Sequence, residues 1–187
     1  MIFKNFLNIK NNKIIKKDFL NLIKHQPQVF ETLKPTYKYS YSKKEISKYK
    51  KFSNIRVIGM GGSILGTEAI YDFLKKKIKK KITFVNNLNS NADYFQDKNI
   101  NLNLIISKSG NTLETIVNAN TLIKSKENNI VITEKKDSYL TNLASQLKAE
   151  IFEHKNYVGG RYSVLSEVGM LPAELMNLNE SKFKQFN

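Results

Sequence analysis

Three loops of the sequence contain residue types that bind anions. They read GMGGSILG at residues 59–66, SKSGNTLET at residues 107–115 and VGGRYS at residues 158–163. Glycines allow a backbone to approach a phosphate closely, hydroxyls and free helix N–H groups donate hydrogen bonds to it, and an arginine supplies a permanent positive charge. Each loop follows a short apolar run, so all three can meet at one edge of a sheet. Recognition of a phosphorylated ligand is the chemistry that these residues fit.

The first loop departs from both common nucleotide-binding patterns. A dinucleotide fingerprint, GxGxxG, has a third glycine where this sequence has Ile64, and it needs an acidic residue at the end of the second strand, where Asn86 stands. A P-loop has the spacing of Gly61 and Gly66 but requires a lysine at the next position, which is Thr67. Without that lysine the β- and γ-phosphates lose their cation, so neither nucleotide class is predicted.

The second loop brings hydroxyl groups to the start of a predicted helix. A helix N-terminus presents unpaired N–H groups and the positive end of the helix dipole, and hydroxyls beside it add donors for the three oxygens of a phosphate monoester. The residues that share this place are Ser107, Lys108, Ser109, Gly110 and Thr112. This combination predicts phosphate binding. The alternative is a capping box of Asn111 and Glu114, which accounts for two residues but leaves the three hydroxyls and the glycine unexplained.

The third loop contains Arg161, one of only two arginines among 31 basic residues. Gly159 and Gly160 precede it, and two glycines in a row indicate tight backbone geometry that aims a permanent cation at the site. A surface salt bridge is the alternative role of this arginine, but it would not need the glycine pair. The loop therefore predicts a fixed positive charge near the ligand.

The composition excludes several classes of function. The formal net charge of +15 comes almost entirely from lysine, whereas recognition of nucleic acids favours arginine and aromatic stacking residues that the basic stretches lack. No cysteine is present, which excludes thiol catalysis, disulfides and cysteine-ligated zinc, and neither a metal nor a cofactor is predicted. The sequence shows no signal-peptide pattern and no run near the ~20 apolar residues of a membrane span. We expect a cytoplasmic protein without a nucleic-acid or membrane partner.

Short apolar runs without polar alternation predict strands that are buried on both faces. They lie at residues 55–59, 82–86, 102–107, 129–133 and 149–153. Amphipathic segments between them predict helices, at residues 67–77, 91–98, 112–126 and 138–148. Strands that alternate with helices form parallel crossovers, so the pattern predicts an α/β fold: a three-layer α/β/α sandwich around a doubly wound sheet of about five parallel strands. Ligands in such sheets lie beyond the carboxyl ends of the strands.

Residues 1–50 differ from the rest and are predicted to form a helical segment in front of a domain of residues 51–187. Apolar residues at helical spacing occupy residues 19–33 and are interrupted near Pro27. Residues 34–45 then have the composition of a polar, tyrosine-rich connector, which is followed by one short helix.

Together the three loops resemble the sequence signatures of the amino-terminal half of the glucose-6-phosphate isomerase family. The matching stretches are GMGGSILG, SKSGNTLET and VGGRYSVLSEVGMLPAEL, in the family's order over about residues 45–180. The resemblance implies the sugar-isomerase (SIS) fold with a flavodoxin-like strand order. It also implies the first of two such domains, in a chain truncated before the second, so we expect exposed apolar residues in the last stretch.

The resemblance further implies the roles of individual residues. Gly62 and Ser63 line the substrate pocket. Arg161 has the catalytic role, because a fixed cation near C1 and C2 of the open-chain sugar stabilises the negative charge of a cis-enediolate. The sugar 6-phosphate is held by Ser107, by Lys108 through its backbone, and by Ser109 and Thr112.

No residue of this chain is assigned as the general base. Glu68, Glu114 and Glu167 are the acidic residues near the loops. The resemblance instead implies that the base, a ring-opening histidine and a late lysine come from the second half of the family, the histidine from the partner subunit. His25 and His154 lie outside the matching motifs and are expected to be structural or solvated.

The resemblance implies the function of an aldose–ketose isomerase of glycolysis and gluconeogenesis, which interconverts glucose 6-phosphate and fructose 6-phosphate. Its predicted partner is a small sugar phosphate, and the resemblance implies a homodimer for the full-length family. The alternative is a non-catalytic SIS module that senses a phosphosugar for a regulator. The GGRYS stretch favours the enzyme, because a sensor has no enediolate to stabilise.

Overall fold

Five short aliphatic runs form one parallel sheet in the computed structural model, which describes residues 13–25, 28–88, 100–124 and 127–185. The strands are β1 (Asn54–Gly59), β2 (Lys81–Val85), β3 (Leu102–Ile106), β4 (Asn128–Thr133) and β5 (Glu150–Glu153). They lie in the order β2-β1-β3-β4-β5, and every neighbouring pair is parallel. The predicted strands are confirmed to within one residue at each end, and the order is flavodoxin-like.

The described residues contain six α-helices. They are α1 (Lys13–His25), α2 (Lys43–Ser47), α3 (Leu65–Leu74), α4 (Leu113–Leu122), α5 (Tyr139–Gln146) and α6 (Glu167–Leu175). The predicted helices over 67–77, 112–126 and 138–148 correspond to α3, α4 and α5, and α4 ends earlier than predicted. The predicted helix over 91–98 lies outside the described residues. In the described part of the chain, each helix is too short or too polar to cross a lipid bilayer.

Helices cover both faces of the sheet because the strands are apolar on both faces. On one face α4 and α5 pack on the strands in a cluster that includes Ile58, Ile105, Val131, Leu122 and Leu140. On the other face α2 and α6 pack in a cluster that includes Ile46, Val57, Leu104, Ile106 and Leu171. The three-layer α/β/α sandwich is therefore confirmed, with the core divided between the two faces of the sheet.

Helix α6 is buried along its whole length, and the sequence alone did not predict it. All of its 9 residues are buried. Val168 and Leu171 face the sheet cluster, while Met170 and Ala173 pack with Ile70 of α3. The expectation of exposed apolar residues in this stretch is wrong for α6, because the helix lies between the sheet and α3.

Packing explains how α6 accommodates two residues that oppose helix formation. Pro172 has no N–H to donate to the carbonyl of Val168, and the hydroxyl of Thr67 in α3 donates to that carbonyl at 3.0 Å. A Cβ on Gly169 would lie 2.1 Å from the carbonyl oxygen of Val164, so only glycine fits there. The helix is thus specified by its neighbours more than by its own sequence.

The tyrosine-rich stretch, expected to be a polar connector, packs against the core. Tyr37 and Tyr41 are 8% and 7% exposed, and Tyr41 belongs to the same cluster as the sheet. The ring of Tyr39 stacks on that of Tyr41 with centroids 5.0 Å apart, and Tyr41 meets Phe152 of β5 edge-on at 6.0 Å. The expectation of a polar connector is therefore wrong, because the rings of Tyr39 and Tyr41 pack into the cluster on the sheet. The division into segments 1–50 and 51–187 stays a prediction.

A buried carboxylate joins this stretch to α6. Tyr37 donates its hydroxyl to the Glu167 carboxylate, at 3.1 and 3.0 Å from its two oxygens, and the amide of Ser40 donates to the same group at 2.9 Å. Burial raises the pKa of Glu167, and the hydrogen bonds oppose that shift. Burial and the neighbouring carboxylate raise the pKa of Tyr37 far above its usual value, so its hydroxyl stays a donor at every ordinary pH.

Replacing Tyr37 by phenylalanine should lower the free energy of unfolding by about 1.5–3 kcal/mol, because a buried carboxylate loses a donor. Urea denaturation followed by circular dichroism measures this change. Tyr162→Phe is the matched control, since Tyr162 is 62% exposed and should change stability by less than about 0.5 kcal/mol. Equal effects of the two substitutions would show that the bond to Glu167 does not stabilise the fold.

Candidate functional site

The candidate site lies where the strand order reverses. The chain passes from β1 to β2 on one side and then continues with β3 on the other side of β1. This reversal opens a crevice beyond the carboxyl ends of β1 and β3, which is where open α/β sheets bind ligands. The first predicted loop follows β1 and the second follows β3, so the topology brings both loops to this crevice.

The structure gathers the three hydroxyls of the second loop at the start of α4. The hydroxyl oxygens of Ser107 and Thr112 are 2.8 Å apart, and those of Ser109 and Thr112 are 3.4 Å apart. Thr112 is the N-cap residue of α4, and its side chain makes no capping hydrogen bond. The Thr112 hydroxyl therefore does not cap the first N–H groups of the helix, and an anion site at a helix N-terminus uses such N–H groups.

The capping-box alternative for the second loop is wrong. The cap position of α4 belongs to Thr112 and not to Asn111. The side-chain oxygen of Asn111 instead accepts a hydrogen bond of 2.9 Å from the amide of Tyr139, the first residue of α5. Glu114 lies in the first turn of α4 without Asn111 as its partner. Asn111 thus connects the loop to the next helix.

Gly110 fixes the shape of the second loop. Its φ of +70° lies in the left-handed region, and a Cβ there would lie 2.2 Å from the hydroxyl oxygen of Ser138. Its amide is 3.2 Å from both the carbonyl and hydroxyl oxygens of Ser107, and its carbonyl accepts the amide of Leu140 at 3.0 Å. The loop is therefore held against α5 by contacts within the chain.

The first and third loops touch through their backbones. A Cβ on Gly62 would lie 2.3 Å from the carbonyl carbon and oxygen of Gly160, a distance that no side chain tolerates. The hydroxyl of Ser163 bridges the two loops, donating toward the carbonyl of Gly62 at 3.0 Å and that of Gly160 at 2.7 Å. The predicted pocket residue Ser63 ends the 3-10 turn of the first loop and is half-buried.

The glycine requirement lies in the first loop and not in the pair before Arg161. Gly159 has an ordinary φ of −68°, and a Cβ on it would lie 3.4 Å from the ring of Tyr162. A Cβ on Gly160 would meet only the Cα of Gly62, at 3.8 Å. Both are normal contacts, so neither position of the pair requires glycine. The expected tight backbone geometry occurs at Gly160, and it depends on the absence of a side chain at Gly62.

The two arginines of the chain have opposite environments. Arg56 is 3% exposed, and its Nη1 donates to Asn103 at 3.2 Å and to the carbonyl of Leu122 at 2.9 Å, beneath α4. Arg161 is exposed, and no hydrogen bond or ion pair to another described residue holds its guanidinium. The surface salt bridge considered as its alternative role has no partner among these residues.

Lys108 contributes its backbone to the second loop, and its side chain is occupied elsewhere. Its ammonium donates to the carbonyl of Asn156 at 2.6 Å and lies 3.6 Å from a carboxylate oxygen of Glu134. Its backbone carbonyl accepts the amide of Glu134 at 3.1 Å. The expected use of Lys108 through its backbone is compatible with this arrangement.

Acidic and imidazole side chains near the loops have structural surroundings. Glu167 is fully buried, and the carboxylate of Glu68 accepts a hydrogen bond from Asn86 at 3.5 Å. His154 is 1% exposed, and burial lowers the pKa of its ring, so it is neutral at pH 7. His25 is exposed at the end of α1. No cluster of three or more such side chains in the described ranges could hold a metal ion.

Comparison with known proteins assigns the chain to a family. The family model described as phosphoglucose isomerase matches residues 5–186, which is nearly the whole chain. The chain belongs to the phosphoglucose isomerase family. It is 38% identical over 151 residues to the glucose-6-phosphate isomerase of Methanocaldococcus jannaschii, an alignment that covers 73% of this chain and 37% of that enzyme. The chain spans about a third of the length of the curated relatives it matches.

Solved structures support the same fold at much lower identity. A hypothetical protein from Thermus thermophilus is similar with a TM-score of 0.73 and 19% identity, covering 92% of this chain and 45% of that one. Tagatose-6-phosphate ketose/aldose isomerase from Escherichia coli is similar with a TM-score of 0.56 and 17% identity, covering 88% of this chain and 49% of that one. The SIS fold implied by the family motifs is thereby confirmed.

One residue of the family motif has a role that the sequence did not predict. Ser163 follows Arg161 by two positions and is the hydroxyl that bridges the first and third loops. The only available signal was a small hydroxyl residue inside the GGRYS stretch. Its role depends on the approach of Gly62, which is distant in sequence.

Replacing Gly62 by alanine should lower the free energy of unfolding by about 1–3 kcal/mol, because the new methyl group overlaps the backbone of Gly160. Gly160→Ala is the matched control on the other side of the contact. Its Cβ has room, so the loss should stay below about 1 kcal/mol. Chemical denaturation of both variants measures the difference. A tolerated substitution at Gly62 together with a damaging one at Gly160 would reverse the assignment of the close contact.

Proposed function

We propose that this chain binds a sugar 6-phosphate at the start of α4 and places Arg161 beside the reacting carbons, as part of the interconversion of glucose 6-phosphate and fructose 6-phosphate. The observation that carries the proposal is the arrangement of the three loops. The hydroxyl cluster at the start of α4 follows β3, and the loop that holds the exposed Arg161 touches the loop after the neighbouring strand β1. The guanidinium of that arginine is paired with no described residue.

The phosphate end of the ligand belongs to the second loop. The hydroxyls of Ser107, Ser109 and Thr112 and the first N–H groups of α4 are donors, and the helix dipole adds favourable potential for an anion. The backbone of Lys108 completes the loop. Because contacts of Gly110 and Asn111 within the chain fix the shape of the loop, little conformational entropy is lost on binding.

The carbonyl end of the ligand belongs to the first and third loops. Removal of a proton beside the sugar carbonyl leaves an enediolate whose charge is spread over O1 and O2. A guanidinium held near these oxygens stabilises that charge more than it stabilises the neutral sugar, which is the requirement for catalysis. Gly62 and Ser63 line the pocket in this proposal, and Gly62 touches the backbone of Gly160, the residue before Arg161.

The proton transfer itself requires a base that we do not assign to this chain. Glu167 is excluded as that base by its complete burial and its bonds to Tyr37 and Ser40. The family resemblance implies a glutamate outside the motifs that match here. A cytoplasmic location belongs to this proposal as well. The resemblance implies a homodimer for full-length family members, and analytical ultracentrifugation measures whether residues 1–187 associate.

Ser109→Ala should weaken the affinity for glucose 6-phosphate by about tenfold or more, because a hydrogen bond to a charged group contributes about 1.5–3 kcal/mol. Isothermal titration of residues 1–187 measures the affinity. Ser145→Ala is the control: its hydroxyl bonds within α5 and should leave the affinity as it is. Wild-type affinity in the Ser109 variant would refute the phosphate site at this loop.

The chain of residues 1–187 should bind the sugar phosphate and yet show no turnover in a coupled assay that follows the formation of fructose 6-phosphate. The reason is that a proton shuttle between C1 and C2 needs a carboxylate within ~3 Å of both carbons. Measurable isomerisation would show that the base is in the chain, and Glu114→Gln and Glu68→Gln would identify it.

A further inference from the structure

Two lysine side chains hold the segment that runs from β5 to Arg161. The ammonium of Lys108, in the second loop, donates to the carbonyl of Asn156 at 2.6 Å. The ammonium of Lys155 donates to the carbonyl of Lys38 at 2.5 Å. The segment is therefore attached on one side to the phosphate loop and on the other to the amino-terminal stretch.

The contacts of Lys108 leave its charge largely compensated. Its carbonyl is fixed to the end of β4 by the amide of Glu134, and the carboxylate of the same residue lies 3.6 Å from its ammonium. The side chain is 31% exposed, and Glu134 pairs on its other side with Lys136. With a carbonyl and a carboxylate already in contact, this ammonium is poorly placed to act as the cation of a bound phosphate.

The stretch between Asn156 and Arg161 is short and is anchored by one buried side chain. Val158 has no exposed surface, and its amide closes a turn with a hydrogen bond of 3.0 Å. The amide of Tyr162 closes the next turn at 2.9 Å. In a stretch of two consecutive hydrogen-bonded turns the backbone has little freedom. A displacement of its first residue therefore moves its last residue as well.

We propose that Lys108 is a positioning residue: its side chain couples phosphate binding in the second loop to the position of Arg161 in the third. A phosphate bound by the hydroxyls and N–H groups of the loop holds the loop rigid. Through the bond to Asn156, the same loop then holds the start of the segment that carries the arginine. The inference rests on the proposed phosphate site, but the link between the loops is a property of the unliganded chain.

Hydrogen exchange of the Val158 and Tyr162 amides in residues 1–187 tests the link. In Lys108→Met without ligand, both amides should exchange about tenfold or more faster, because one charge-assisted anchor is lost. Lys136→Met is the charge-matched control, since Lys136 contacts the same carboxylate but not Asn156. Lys108→Arg keeps a donor and should restore slow exchange. The amide of Ile105 in β3 reports whether the fold is intact.

The coupling is tested by repeating the exchange with saturating inorganic phosphate. In the wild type, phosphate should slow the exchange of the Tyr162 amide further. In Lys108→Met this slowing should disappear, although the affinity for phosphate should fall no more than it does in Lys136→Met. A Lys108 variant that loses affinity about tenfold more than the control, with unchanged exchange, would overturn the proposal and make the lysine a phosphate ligand. If the wild type binds no phosphate, the proposed function fails. The exchange rates of the variants without phosphate would still show whether Lys108 holds the segment that carries Arg161.

Discussion

The geometry of the site depends on the contact between the backbones of Gly62 and Gly160. Arg161 follows a strand at the edge of the sheet, three strand spacings or about 14 Å from β1. The loop after β5 must return across the carboxyl edge before its arginine can reach the crevice at the strand reversal. It comes to rest against the first loop because that loop has no side chain at its point of contact. Ser163 then bonds to both carbonyls and fixes the distance between the loops.

Rigidity on the other side of this contact comes from α6. The third loop runs directly into that helix, whose residues are all buried, and Gly169 lets the helix approach Val164 of the loop. At the first turn of α6, the Glu167 carboxylate is held by Tyr37 and Ser40. The arginine thus extends from one of the best-packed parts of the molecule, and a cation on a rigid support loses little energy to reorganisation when charge develops nearby.

The sheet and the phosphate loop were predictable because their signals are local. Strands buried on both faces must be continuous apolar runs, and a run such as 102–107 is typical of such a strand. The hydroxyls of Ser107, Ser109 and Thr112 lie close in sequence, so their proximity in space follows from one turn of chain. Their use as phosphate donors remains a proposal that binding experiments decide.

What the sequence did not reveal depends on partners distant along the chain. Helix α6 contains a glycine and Pro172, and its missing hydrogen bond is replaced by Thr67 from another helix. Asn111 has the spacing of a cap, but its side-chain oxygen accepts a hydrogen bond from an amide of α5 instead. The tyrosines of residues 37–41 alternate with lysine and serine, a pattern that fits a half-buried extended stretch as well as a solvated one. In each case the atoms that determine the local structure belong to another element.

The central claim is that the second loop and Arg161 act on opposite ends of one ligand. The most direct measurement compares the affinities of two sugar phosphates, 6-phosphogluconate with a carboxylate at C1 and glucitol 6-phosphate with an alcohol there, in the wild type and in Arg161→Met. The substitution should weaken the binding of 6-phosphogluconate by about tenfold or more. It should weaken the binding of glucitol 6-phosphate no more than the charge-matched Lys135→Met does. Equal losses for both ligands would place the arginine at the phosphate, and no loss for either would remove it from the site; both results would contradict this account.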